Sequence, residues 1–499
     1  MPSLETNGSN GQSAFQFYNI IDGKLRTSKD HHQVIDPRTE EPLWDAPIAS
    51  TKDLDDAVEA ANRAFKTWKK STVAERQKAV HDVANVILDN LDILTEVQMK
   101  ETGKSRLMSK FDVERAAWHF EYYSMYPAPP PPLSCVNLHA HQESVTLEDE
   151  LQYEDDTIRI IATHAPIGVL GAISPWNFPL ILSTVKIVSA LATGNCCIIK
   201  PSPFTPYSLL KFCELAQPVL PPGVFQAVNG GADLGEQMTL HPGIHHISFT
   251  GTIAVGQRIL RNCAGTLKKV ILELAGNNAC IVCDDVDLDK VVPQVTTGAL
   301  FHAGQVCVAS KRIYVHESLY DRFLEKLVEE SKKFAVDDEE SVAFGPLSNR
   351  ANYERAVGII EDCKKNGYKI VAGGEVRPTE KGFWLPPTIV AKPPEDSLIV
   401  REEQFAPIVP VLSWSSEDDV IARANLDNAG LGASVYTPDL DRAQRIARQL
   451  ESGTVWINQF ERPHHAGFFA GWKLSGFGGE LGKQGLLHYC HTQSLQIAK

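Results

Sequence analysis

GVLGAISPWNFPLILSTVKIVSALATGNCCIIK, residues 168–200, changes the texture of this chain. GVLGAIS (168–174) and NCCIIK (195–200) are apolar runs of strand length. The runs VFQAV (224–228), HHISF (245–249) and VILEL (270–274) follow, with helix-like segments such as 206–220 between them. Short apolar strands that alternate with helices are the signature of βαβ units, in which a parallel sheet is covered on both faces. A second series repeats the pattern: ACIVC (279–283), RIYV (312–315), KIVA (369–372), IVPVL (408–412), SVY (434–436) and GTVWI (453–457). The chain therefore reads as α/β, with two domains that join near Glu273.

Upstream, residues 54–70 and 73–100 carry apolar side chains at three- and four-residue spacing and read as amphipathic helices, the first entered through Asp53 as N-cap. Residues 112–126 continue that helical layer. The run PAPPPP (127–132) ends it, because proline cannot continue a helix. The run is either a stiff surface connector or a recognition site for a proline-binding module.

Of the 499 residues, 43% are hydrophobic and 22% charged, and 48 Lys and Arg stand against 62 Asp and Glu, for a formal net charge of −14. Such a chain builds two or more globular domains; a disordered chain, a collagen and a disulfide-stapled miniprotein are excluded. The acidic balance speaks against a nucleic-acid partner, which needs a basic face. Ten cysteines are too sparse for a disulfide framework and suit a reducing compartment. Residues 1–14 read as a loose tail without the apolar core of a signal peptide. The most apolar stretch, 158–199, is broken by Pro166, Pro175, Pro179, Lys186 and Asn195, so no membrane span of about 20 residues forms. A cytoplasmic protein is expected.

Four motifs carry candidate chemistry. FTGTIAVG (249–256) is a strand end that opens a helix, leaving free N–H groups and the positive end of the helix dipole for an anion. Its first glycine serves equally for a tight turn, and the stretch is neither a Walker A loop nor Gly-x-Gly-x-x-Gly. In GQVC (304–307), Cys307 is either an exposed nucleophile or a buried structural cysteine. Glu273, an acid in an apolar run, is either a general base whose pKa burial raises or a strand-end glutamate satisfied by backbone donors. SPWNFPL (174–180) brackets Trp176 and Asn177 with prolines at the carboxyl end of a strand, where open parallel sheets bind ligands. The Asn177 amide there either donates to an oxyanion or serves the turn. Cys280 and Cys283 point to opposite strand faces, and the histidine pairs lack partners at metal spacing, so no metal is expected.

In chain order, SPWNFP, KPSPFTP, FTGTIAVG, LELAGNNA, GQVC, EEQFAP, GLGASVYT and GWKLSGFGGELGKQGL resemble the aldehyde dehydrogenase superfamily, from about Tyr18 to the C-terminus. The resemblance implies a Rossmann-like NAD(P)-binding domain (15–133 and 162–273), an α/β catalytic domain (274–481) and a small β oligomerisation element (134–161 and 482–499) of a homodimer or homotetramer. It implies oxidation of an aldehyde to a carboxylic acid with NAD, or NADP, as cofactor. Cys307 matches the nucleophile that forms a thiohemiacetal and then a thioester. Asn177 and the Cys307 N–H match the oxyanion donors, and Glu273 matches the base that activates water. Glu480 matches a glutamate that relays protons in some members, and Lys186 a lysine near the same site. Toward the cofactor, Lys200 and Ser202 match the adenosine-ribose side, and Gly251, Thr252 and Gly256 the pyrophosphate loop. Glu403 matches the nicotinamide-ribose carboxylate, Phe405 the aromatic beside it, and Ser174, Pro175, Trp176 and Leu274 further contacts.

By the same resemblance Phe178, Leu182, Val185, Phe301, Val306, Val308, Arg462 and Phe469 line the substrate tunnel. Those walls suggest a medium apolar or aromatic aldehyde, while the polar loop 461–465 reaches an oxygenated tail. FPLILSTVK (178–186) lacks the arginine that succinic-semialdehyde enzymes carry there. Ala275, Ala406 and Ala470 replace glycines usual in the family, and Pro203 stands where many NAD enzymes carry glutamate. A CoA-acylating enzyme, whose branch typically lacks the glutamate base, and a non-catalytic homologue are the competing expectations.

Overall fold

A computed structural model describes residues 15–124, 147–334, 344–376, 381–426 and 428–499. The expected tail 1–14, the proline run 127–132 and most of the first half of segment 134–161 lie outside the described residues.

The runs after residue 168 form the middle of an eight-stranded sheet. Its five central strands are parallel, in the order Phe225–Ala227, Cys196–Lys200, Val169–Ile173, His246–Thr250, Lys269–Glu273. Chain order runs outward from Val169–Ile173, first to one side and then to the other. The sheet thus has a topological switch point beside Val169–Ile173, where open α/β sheets bind ligands beyond the strand ends. The register pairs Ile173 with Phe249, so the turns that follow both residues stand side by side. These strands are buried almost throughout, as expected for a parallel sheet packed on both faces.

A second, seven-stranded sheet carries the later runs, with Asn278–Val282 near its middle, and all but its edge strand Lys369–Ala372 run parallel. Alternation along Asn278–Val282 sends Ala279, Ile281 and Cys283 into one apolar core and Cys280 and Val282 into the other. The change of sheet falls between Glu273 and Asn278.

Two expectations for the helical layer need correction. The first helix is Thr51–Trp68 and its N-cap is Ser50, not Asp53. The Ser50 hydroxyl accepts the Asp53 N–H at 3.2 Å, and the Asp53 carboxylate accepts the Ser50 N–H at 2.9 Å, a reciprocal box that puts Asp53 in the third helical position. Residues 73–100 are two helices, Val73–Asp89 and Leu91–Thr102. Asn90 separates them by leaving helical geometry and turning its amide back onto the Val86 carbonyl. The next helix, Arg106–Ser124, packs on the helix Pro179–Ala192.

The hairpin of Glu150–Glu154 and Ile158–Pro166 joins the terminal strand Cys490–Ala498 in a three-stranded antiparallel sheet. Its second strand runs on to Pro166, past the expected break at 161. Leu151, Tyr153, Leu495 and Ile497 leave apolar surface exposed on this sheet. Among the described residues no helix is long and apolar enough to cross a membrane.

Candidate active site

The SPWNFP turn lies between the strand Val169–Ile173 and the helix Pro179–Ala192, which starts on proline, where the missing N–H costs nothing. The Ser183 hydroxyl donates to the Ser174 hydroxyl at 2.7 Å and pins the turn. Asn177, 3% exposed, donates its Nδ2 to the Gln305 carbonyl at 2.9 Å, across 128 residues of chain. An NH₂ group has two protons, and the second remains for a ligand.

Cys307 is set by an unusual approach. His302, Ala303 and Gly304 have φ of 50°, 52° and 69°, three successive left-handed residues. Gly304 is required, because a Cβ would fall 2.2 Å from the Ala406 carbonyl oxygen. Buried Lys311 donates to the Gly304 carbonyl at 2.6 Å, and buried Gln305 accepts the Ser348 N–H at 2.9 Å. Asn278 holds the far side: its Nδ2 donates to the Cys307 and Ala309 carbonyls, both at 2.8 Å, and its Oδ1 accepts the Gly432 N–H at 2.9 Å. Gly276 lets this clamp close, since a Cβ there would stand 2.5 Å from the Cys307 oxygen. Asn278, Gln305 and Lys311 were absent from the sequence-based set. The available signal for Asn278 was a polar residue at the head of the apolar run ACIVC.

Among the described cysteines Cys307 alone is not buried. Burial, with Glu273 and Glu403 nearby, still pushes its thiol up to about 12, while the Cys307 and Val308 N–H groups pull the other way. Glu273 ends its strand 5% exposed and accepts the Thr250 hydroxyl at 3.1 Å. Burial first and the Glu480 carboxylate second raise its pKa, and Lys186 opposes them. Glu480 is held on one oxygen by Lys186 Nζ (3.0 Å), Ser248 Oγ (2.8 Å) and Tyr489 OH (2.9 Å). Two carboxyls and a lysine thus share one buried network, with the thiol and the amide close by.

A cavity of about 280 Å³ opens above it. All eight expected tunnel residues line it, together with Asn177, Glu273, Cys307 and Glu480. Sequence reasoning missed Phe111, Arg115 and His119, which enter from one face of the helix Arg106–Ser124 at four-residue spacing, and it left Glu461 and His465 without a place in the wall.

The expected cofactor residues line up along the first sheet. Ser174, Lys200, Gly251 and Leu274 stand at the carboxyl ends of four adjacent parallel strands. Thr252 caps the helix Ile253–Ala264, and Gly256 lies against Leu274, where a Cβ would come within 2.6 Å. Buried Lys200 donates to the Pro201 and Gly230 carbonyls at 2.9 and 2.8 Å, and burial pushes its ammonium down to about 8. Ser202 accepts the Phe204 N–H at 3.2 Å. Glu403 accepts the Gly276 N–H at 3.3 Å, and Phe405 meets Trp176 edge-on at 5.3 Å, beside Pro175. A helix N-terminus for a diphosphate, a lysine for hydroxyls and a carboxylate for a second ribose are a donor set that fits a dinucleotide.

Two largely parallel sheets with a thiol, an amide and a buried carboxyl between them, beside a site that fits a dinucleotide, mark an α/β enzyme of the cysteine-nucleophile class. A model of the aldehyde dehydrogenase family matches residues 25–495. Aldehyde dehydrogenase LUC3 of Fusarium sp is 40% identical over 484 residues, covering 97% of this chain and 99% of that protein. Aldehyde dehydrogenase from Bacillus cereus, solved as an NAD+ complex, superposes with a TM-score of 0.90 at 31% identity over 97% of each chain. An NADP dependent enzyme of E. coli does so with 0.90 at 32% identity, over 98% of this chain and 100% of that one. The chain belongs to the aldehyde dehydrogenase family.

Proposed function

We infer that the protein oxidises an aldehyde to a carboxylic acid with NAD(P) through a covalent bond to Cys307. The observation that carries this reading is the convergence of Cys307, Asn177 and Glu273 on one cavity next to the row of strand ends. The Cys307 sulfur adds to the aldehyde carbon and its proton leaves toward the Glu273–Glu480–Lys186 network. The free Asn177 proton and the Cys307 N–H hold the oxyanion of the thiohemiacetal. The cofactor residues would hold a nicotinamide that accepts hydride from the thiohemiacetal carbon, which would leave a thioester on Cys307. Glu273 takes a proton from water as its oxygen attacks the thioester; the carboxylic acid departs and the thiol is restored. Burial and the two nearby carboxylates push the thiol up to about 12, so deprotonation accompanies addition, where the oxyanion donors offset its cost.

Glu273 favours hydrolysis over transfer of the acyl group to CoA. An NAD+ complex and an NADP dependent enzyme among the similar structures support use of either cofactor. A cytoplasmic homo-oligomer is the matching setting: the described cysteines are all free, and the exposed apolar side chains on the terminal three-stranded sheet suit a partner copy. The domain division expected from the sequence is our proposal, with the hairpin strand extended to Pro166 and Gly476–Phe477 assigned to the first sheet.

One assay tests the reading: aldehyde with NAD, with and without CoA, followed by absorbance of the reduced cofactor. Oxidation without CoA, abolished in Cys307→Ala with cofactor binding retained, is expected. Strict dependence on CoA, or substantial turnover by Cys307→Ala, would overturn it.

A further inference from the structure

The substrate cavity has a charged outer end. Exposure increases from Asn177 and Glu273 at its base to Arg115, which is half-buried, and Arg462, which is exposed. Arg115 makes no ion pair among the described residues; it lies over Trp118 at 4.0 Å and near Phe111 at 5.9 Å. Burial first and the neighbouring cation Arg462 second push its guanidinium down to about 10. A half-buried arginine beside another cation gains from a carboxylate or a ligand opposite it. Glu461, the acid beside Arg462, lies in the cavity wall and is held there: one oxygen accepts the Ser310 and Ser434 hydroxyls at 2.6 and 3.0 Å, and the other is buried against Gly298. Burial raises the Glu461 pKa, and the Ser310 and Ser434 hydroxyls with the Lys311 ammonium oppose the shift.

A second observation lies on a different element. His465 lines the same cavity at 2% exposure, 3.6 Å from the Trp118 ring, and neither of its nitrogens has a partner. Its pKa is pushed well down, chiefly by burial, so it offers a neutral N–H and not a third cation. Between this polar end and Asn177 the wall is aromatic. Phe178 stacks on Phe301 at 6.4 Å, and Phe301 meets Phe111 edge-on at 6.0 Å.

An apolar passage that ends in two arginines, neither of them in an ion pair among the described residues, matches a substrate that is apolar in the middle and anionic at its tail. We propose that Arg115, with Arg462 and His465, binds a carboxylate at the far end of the substrate, so that this site takes medium-length aldehydes bearing an ω-carboxylate. The arginine expected of a semialdehyde enzyme within 178–186 is absent, and Arg115 supplies the cation from another helix. The proposal rests on the aldehyde-oxidation reading of the same cavity.

The test compares hexanal, 6-oxohexanoate and 4-trimethylammoniobutanal in the wild type, Arg115→Met and Arg115→Lys. The wild type should show a kcat/KM for 6-oxohexanoate at least tenfold above that for hexanal, and the cation should be the poorest of the three. Arg115→Met should lose at least tenfold more on 6-oxohexanoate than on hexanal, mainly in KM, with far-ultraviolet dichroism unchanged to report an intact fold. Arg115→Lys should recover part of the loss. Independently of turnover, adipate should raise the thermal midpoint of the wild type and not of Arg115→Met, and hexanoate should do so for neither. Equal or better use of hexanal or the cation by the wild type, or equal losses on both substrates in Arg115→Met, would overturn the proposal. If none of the aldehydes is oxidised, the oxidation reading falls, and the adipate arm still decides the anion site.

Discussion

Glu273 is asked to take a proton twice, from the thiol as it adds and from water as it attacks the thioester. Its surroundings set how readily it does so: burial and Glu480 raise its affinity for the proton, and Lys186 with the Thr250 hydroxyl limits the shift. Its folded pKa is raised, so the ionised, water-activating form is lost as pH falls and gained as pH rises. Deacylation should therefore climb with pH through the raised Glu273 pKa and level off above it, as single-turnover release of acid measured across pH will show. Glu273→Gln should acylate but stall, because an amide cannot take the proton. Stopped-flow mixing should give a burst of reduced cofactor and mass spectrometry an adduct on Cys307; loss of acylation with no adduct would remove Glu273 from the hydrolytic role. Pro203 acts by omission: proline has neither charge nor acceptor in its side chain, so no carboxylate repels a 2′-phosphate. NAD and NADP should differ by less than roughly a hundredfold in kcat/KM, about 2.7 kcal/mol. In Pro203→Glu the NADP value should fall at least tenfold with the NAD value little changed, a comparison for steady-state kinetics.

The decisive element is the loop from Phe301 to Ala309. Left-handed backbone at two non-glycine residues is unfavourable and persists only where neighbours over-determine it. Here Lys311, Gln305 and Asn278 do so through hydrogen bonds to the loop's own carbonyls. Asn278→Ala would leave the Cys307 and Ala309 carbonyls and the Gly432 N–H without that partner, at about 1–3 kcal/mol for each buried group left unpaired. The urea midpoint should fall, and kcat should fall at least tenfold with a smaller change in the cofactor Kd, since the cofactor residues other than Glu403 and Phe405 lie along the first sheet. An unchanged kcat in a destabilised protein would show that the clamp serves only the fold.

Across the whole molecule the C-terminal segment ties the two sheets together. Gly476–Phe477 adds an antiparallel strand beside Lys269–Glu273, and this return places Glu480 on Lys186, 294 residues away. The last strand, Cys490–Ala498, then pairs along nine residues with Ile158–Pro166 and leaves apolar side chains outside. A sheet this exposed is a template for another chain. Removing residues 491–499 should shift the protein to a smaller assembly in sedimentation velocity with near-ultraviolet dichroism retained. An unchanged sedimentation coefficient would place the subunit contact elsewhere.

Strand-turn-helix chemistry was readable along the chain because each of its parts is local. GVLGAIS, the prolines around Asn177, the glycine before Thr252 and the acid closing VILEL each carry their signal within a few residues, and family resemblance ordered them. The N-cap at Ser50 and the break at Asn90 were misread, since both depend on where one short polar side chain turns, and neighbouring Asp53 or an unbroken apolar period looks equally good in sequence. Asn278, Gln305 and Lys311 carried no motif, because their partners are backbone carbonyls brought close only by folding. Arg115 was invisible for the same reason. A cation at helical spacing ordinarily faces water, and only the packing of Arg106–Ser124 against Pro179–Ala192 turns this one toward the cavity, where its charge acquires a function.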